Sequence, residues 1–127
     1  DSIESLLAES DFVSLHCPAT PENRNLMNAA RLAAMKKDAI LINTARGDVV
    51  DEAALVAALR EGRIAGAGLD VFAEEPKVPP ALLELENVVL LPHLGSATRE
   101  TRAAMGFRVI ENAEAFFAGR EPRDRVA

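Results

Sequence analysis

The chain has 127 residues, 49% of them apolar, and a formal net charge of −6, a balance that suits a compact folded unit rather than a disordered or fibrous chain. Its 14 Lys and Arg residues are scattered, which argues against the clustered basic surface a nucleic acid requires, and no apolar run approaches the ~20 residues of a membrane span. The opening Asp1-Ser2-Ile3-Glu4 lacks the basic and apolar regions of a signal peptide, and Cys17 has no second cysteine to pair with, so a reducing cytoplasm is the expected compartment.

Taken in chain order, short apolar runs alternate with amphipathic stretches. Asp1 and Glu4 form a candidate capping box that opens a helix to about Glu9. Residues 12–16 read as a strand stopped by Pro18, because proline donates nothing to a ladder. A polar loop, 19–24, leads to Asn28, a candidate N-cap for a helix to Met35. Residues 39–43 are apolar on both faces, as buried parallel strands are.

The next unit is the clearest: Asp51 caps a helix from Glu52 to Arg60, and Gly62 sits where a helix ends. A segment rich in small residues, 64–70, follows; then come a loop to Pro80, a helical turn at 81–85 and a strand at 88–91. Thr98 is placed to cap a long helix to about Ala118, closed by Gly119 and Pro122. Strand–helix alternation with long crossovers predicts an α/β fold, a Rossmann-like doubly wound parallel sheet with helices on both faces. No Gly-x-Gly-x-x-Gly string, with which a dinucleotide fold should begin, occurs, so the four strands look like the second half of a larger unit.

In an open parallel sheet, ligands bind beyond the carboxyl ends of the strands. Here each expected strand end carries polar or special residues: His16-Cys17-Pro18, Asn43-Thr44-Ala45-Arg46-Gly47, Asp70, and Pro92-His93-Leu94-Gly95. His16 reads as structural. Cys17 reads as a free thiol rather than a nucleophile. Two histidines and one cysteine lack metal-ligand spacing, so no metal site is expected.

Three of these strings, Asn43-Thr44-Ala45-Arg46-Gly47, Gly68-Leu69-Asp70-Val71-Phe72 with Glu75-Pro76, and Pro92-His93-Leu94-Gly95, resemble in order the signatures of the D-isomer-specific 2-hydroxyacid dehydrogenases. The similarity runs over nearly the whole chain. It implies an oxidoreductase that transfers hydride between NAD or NADP and a small 2-keto or 2-hydroxy acid. Arg46 would hold the substrate carboxylate through its planar two-bond fork. His93 would exchange the proton at the carbonyl oxygen, and Glu75, rather than the adjacent Glu74, would support it.

Asp70 would accept from the nicotinamide carboxamide, and Cys17, Pro18, Thr44, Ala45, Arg46, His93, Gly95 and Ser96 would line the cofactor. Glutamate at position 75 distinguishes the chain from formate dehydrogenase-like relatives, where glutamine is expected. Gly95 to Arg102 looks most like the glyoxylate and hydroxypyruvate reductase branch. The resemblance further implies residues 1–97 as coenzyme-domain half and 98–127 as a helix and tail packing towards a substrate domain, with a homodimeric complete enzyme. Two alternatives remain at this level: a non-catalytic NAD(H)-sensing protein of the corepressor type, or an inactive fragment of the dehydrogenase. These residues alone, without a phosphate-binding turn, are expected to bind dinucleotide weakly and to turn nothing over.

Overall fold

Four short apolar segments assemble into one sheet in the computed structural model, which describes residues 2–126. The strands are β1 (Phe12–Leu15), β2 (Ile40–Asn43), β3 (Gly66–Leu69) and β4 (Val88–Leu90), all parallel and in the order β1-β2-β3-β4. Helices α1 (Ile3–Glu9), α2 (Ala29–Ala34), α3 (Glu52–Arg60) and α4 (Pro80–Leu83) alternate with them, and α5 (Arg99–Phe117) follows. The chain divides into two compact units, Asp1–Leu94 and Gly95–Ala127.

Local chemistry explains where the helices start and stop. The side chains of Asn28, Asp51 and Thr98 accept from the third N–H of α2, α3 and α5, satisfying donors that have no intrahelical partner. Asp1, half of the expected capping box, lies outside the described residues; the observed N-cap of α1 is Ser2, whose Oγ accepts from the Ser5 N–H at 3.2 Å. Beyond α3 and α5, Gly62 and Gly119 take the left-handed conformation, at φ 62° and 70°, that reverses the chain. Of two 3₁₀ turns, Pro21–Asn23 lies in the stretch expected to be a polar loop, and Gly47–Val49 lies between β2 and α3.

Register settles which face is buried. Val13, Leu41 and Ala67 lie side by side, as do Leu15, Asn43 and Leu69, and all six are buried against Leu7 of α1, Leu32 of α2, Leu55 and Leu59 of α3 and Leu82 of α4. The opposite face carries Phe12 and Val89, 66% and 62% exposed. Among residues 2–94, then, the helices cover one face, and the second helical layer expected from the sequence is not found there. The reason is topological: successive right-handed crossovers between sequentially ordered neighbours return on the same side, and only a reversal of strand order moves helices to the other. No helix of the described residues is long and apolar enough to cross a membrane.

In the second unit, Arg120 donates its backbone N–H to Ala115 at 2.8 Å, and Asn112 and Asp124 exchange two hydrogen bonds, which fold the tail back on α5. Ala115 is the one residue of α5 that is buried.

Candidate active site

Parallel pairing brings all four carboxyl strand ends of the sheet to one edge. At the end of β2, Asn43 is 1% exposed. Its Oδ1 accepts from the Ala45 N–H at 3.1 Å and its Nδ2 donates to the Arg46 carbonyl at 2.9 Å. The same carbonyl accepts from the Val49 N–H at 3.3 Å, opening the following 3₁₀ turn. Arg46 itself is exposed and donates from Nη1 to the Ala45 carbonyl at 2.6 Å.

The end of β3 is tied both backwards and forwards. The Asp70 N–H donates to the Asn43 carbonyl at 3.0 Å, and the Asp70 carboxylate, in a residue 7% exposed, accepts from the Leu94 N–H at 2.7 Å. The next turn is held at Phe72, whose N–H donates to Glu75 Oε1 at 3.1 Å, and at Ala73, whose N–H donates to Glu52 Oε1 of α3 at 2.9 Å. Gly47 lies directly against this turn: a Cβ there would stand 2.0 Å from the Phe72 carbonyl carbon. The loop bearing Arg46 and the loop bearing Glu75 therefore touch backbone to backbone.

After β4, Leu91 donates to the Leu69 carbonyl at 2.9 Å, and His93 takes a left-handed backbone, φ 55°. A non-glycine residue there costs on the order of 1–3 kcal/mol and persists only where the surroundings impose it; the Leu94 bond to Asp70 is such a constraint. His93 Nδ1 lies 2.8 Å from Glu75 Oε2. Glu74 points elsewhere, 3.9 Å from Lys77, so the acid before Pro76 is the one that meets the histidine.

The Glu75 carboxyl is held below its ordinary value, first by the His93 hydrogen bond and then by the Phe72 N–H, against a desolvation cost, with smaller help from the charges of His93 and Arg46. An ionised carboxylate can only accept, so the His93 nitrogen facing it must donate, which leaves Nε2 as the ring nitrogen available for other chemistry. At the carboxyl ends of β1 and β2 a cleft of about 450 Å³ is lined by residues 16–19 and by Thr44, Ala45 and Arg46. It thus gathers Cys17 and Pro18 from one strand end and the arginine turn from the next. His16, at its rim, bonds Ser14 through Nε2 at 2.8 Å. Gly95 and Ser96 belong to the second unit, exposed ahead of the Thr98 cap.

Residues 1–95 match the family model described as the D-isomer specific 2-hydroxyacid dehydrogenase, NAD binding domain. The chain belongs to this family. It is 56% identical over 126 residues to a glyoxylate reductase of Korarchaeum cryptofilum, covering 98% of this chain and 38% of that protein. Among solved structures it resembles the NADPH-dependent glyoxylate/hydroxypyruvate reductase of Sinorhizobium meliloti, in complex with NADP and malonate, at 45% identity and a TM-score of 0.94, covering 99% of this chain and 40% of that one. It also resembles the D-lactate dehydrogenase of Lactobacillus jensenii with NAD+, at 32% identity and a TM-score of 0.89, covering all of this chain and 42% of that one. The chain therefore spans well under half the length of the relatives it matches.

Asn43, Gly47 and Leu94 stand inside the quoted strings without a role assigned to them, and Glu52 lies outside the strings altogether. One of them had a visible signal. Asn43 closes the run Ile-Leu-Ile-Asn, and a polar residue ending a buried strand must find its partners locally or cost stability. The Glu52 and Leu94 bonds join residues 21 and 24 positions apart, which no local pattern reports.

Proposed function

We propose that this segment supplies the nicotinamide end and the acid–base half of a D-2-hydroxyacid dehydrogenase, acting between NAD or NADP and a small 2-keto acid such as glyoxylate or hydroxypyruvate. The observation that carries the reading is the His93–Glu75 contact of 2.8 Å beside Arg46, whose charge reaches Glu75.

The residues fit one end of the cofactor. Asp70 is a buried carboxylate with Oδ1 engaged by Leu94 and no partner for Oδ2 among the described residues, suited to an amide N–H₂ such as that of a carboxamide. Cys17, Pro18, Thr44 and Ala45, which share one cleft, would line the cofactor. The described turns contain no glycine-rich helix start to cradle a pyrophosphate. Hydride is the chemistry that the reduced nicotinamide supplies when bound.

The chain's own residues do the rest. Arg46 holds the substrate carboxylate through two parallel N–H bonds and so fixes which face of the carbonyl is presented. His93 gives its Nε2 proton to the carbonyl oxygen as negative charge develops there, and Glu75 stabilises the ring through Nδ1 and keeps it oriented. In the reverse direction His93 takes the proton from the hydroxyl. The exposed apolar side chains of α5, Met105, Phe107, Val109 and Ile110, suit packing towards a substrate domain and a second subunit of a cytoplasmic homodimer.

The test is steady-state reduction of glyoxylate and hydroxypyruvate by the intact protein with NADH and NADPH, beside an Arg46→Lys variant. Lysine keeps the charge and loses the fork, so kcat/KM should fall about 10- to 100-fold, the worth of one charged hydrogen bond. Unchanged kcat/KM would remove Arg46 from the carboxylate role. No turnover with either cofactor would remove the proposed reaction.

A further inference from the structure

Arg46 carries the substrate in the reading above, yet little in its own side chain explains where it sits. The guanidinium is exposed, and the hydrogen bond it makes is to the carbonyl of Ala45, its own neighbour. A long side chain with that freedom loses several rotors on binding an anion. Its placement must come from the backbone that bears it.

That backbone is held by one buried side chain. Asn43 is 1% exposed at a position where β2 otherwise presents aliphatic residues to the core, and an unpaired amide there would be costly. Both of its ends are satisfied by the turn it precedes: Oδ1 takes the Ala45 N–H and Nδ2 gives to the Arg46 carbonyl. Its own carbonyl accepts from Asp70, at 3.0 Å. A leucine or valine would satisfy the burial pattern of the strand and make none of the side-chain bonds. The polar residue serves the turn rather than the sheet.

We infer that the Asn43 side chain is the positioning group of the site, setting Arg46 to meet the substrate carboxylate. The inference rests on Arg46 holding the carboxylate. Asn43 touches no substrate and acts through Arg46, so its loss should appear in keto-acid affinity and be absent where Arg46 has already been removed.

A double-mutant cycle in the intact protein decides it. Asn43→Ala, Arg46→Ala and the double variant are compared for KM and kcat with glyoxylate, for cofactor KM, and for binding of oxamate, a non-reacting keto-acid mimic, by calorimetry. Asn43→Ala should raise the keto-acid KM and the oxamate Kd about tenfold, the worth of the two bonds lost, with cofactor KM within about twofold. In the Arg46→Ala background it should add nothing.

Asn43→Asp keeps the volume and the acceptor for Ala45 while losing the donor to Arg46. It is read by the same criterion if the alanine variant does not fold. A drop in melting temperature with keto-acid KM and oxamate binding unchanged would overturn the inference, as would full additivity with Arg46→Ala. If Arg46→Ala alone leaves oxamate binding intact, the role of Arg46 fails first and the inference falls with it.

Discussion

Residues 2–94 and residues 95–126 are both well supplied with apolar side chains, but they use them in opposite ways. The first unit buries Leu, Val, Ile and Met from β1 to β3 and α1 to α4 in one cluster against a single face of its sheet. In the second, α5 runs 19 residues and buries Ala115 alone, while Phe107 and Phe117 are 66% and 86% exposed. Position on the helix does not segregate these apolar residues to one stripe, so burial within its own unit is not what α5 is shaped for. Its ends are instead specified by a threonine cap and a left-handed glycine. The lesson is that one unit is held by packing and the other by local chemistry, and the candidate site is built on the unit that packs.

The largest expected break of that contrast is Leu55→Ala. Leu55 is fully buried between α3 and the sheet, and its truncation should lower unfolding free energy by about 2–5 kcal/mol in a urea titration. Phe107→Ser, on α5, should fall within about 0.5 kcal/mol in the same assay. If the two changes cost alike, the distinction between the units is wrong.

Gly47→Ala comes next, because it sharpens the link between packing and site. An added methyl meets the Phe72 backbone at 2.0 Å, so a loop must shift, at about 1–3 kcal/mol of overpacking. The shift separates the Arg46 turn from the turn that leads to Glu75, so turnover of the intact protein should fall more than stability alone explains. Thr98→Ala is smaller, about 1 kcal/mol for a lost N-cap. Loss of ellipticity from the α5 segment, with protection of the β2 and β3 amides retained under hydrogen exchange, is the expected signature.

The smallest effect is electrostatic. The folded-state value of Glu75 lies below the unfolded one, so the His93 contact contributes fully above the unfolded carboxyl's value of about 4.3 and is lost as pH falls through the lowered value. Its side chains are 35% and 48% exposed, where solvent screening leaves such pairs little stabilising worth. A Glu75→Gln variant should therefore match the parent in stability at acid pH and lag it only slightly at neutral pH. A lag that widens towards acid would reverse the assigned sign.

Much of this architecture was legible beforehand, for identifiable reasons. Asn28, Asp51 and Thr98 are caps whose partners lie three residues away, and Gly62 and Gly119 end helices through their own backbone freedom, so sequence spacing contains the whole interaction. The parallel order followed from crossovers long enough to be helical. Glu75 was separable from Glu74 by its place before Pro76.

Other features depend on contacts that spacing does not encode. The helices lie on one face because the strand order never reverses within residues 2–94, and no single element carries that information. Phe12 reads as an interior residue by type, yet stands on the exposed face because its register partner is Ile40 rather than Leu41. The Asp70 bond to the Asn43 carbonyl and the contact of Gly47 with Phe72 emerge only once β2 and β3 lie side by side.

The central claim is that His93, supported by Glu75, exchanges the proton while Arg46 holds the acid. Steady-state reduction of glyoxylate by the intact protein and its His93→Asn variant tests it most directly, with cofactor KM measured alongside. In the variant kcat should fall about 10²- to 10⁴-fold, the usual contribution of a positioned acid–base group, with cofactor KM little changed. A kcat within about threefold of the parent, below the size of even one general-acid contribution, would contradict it.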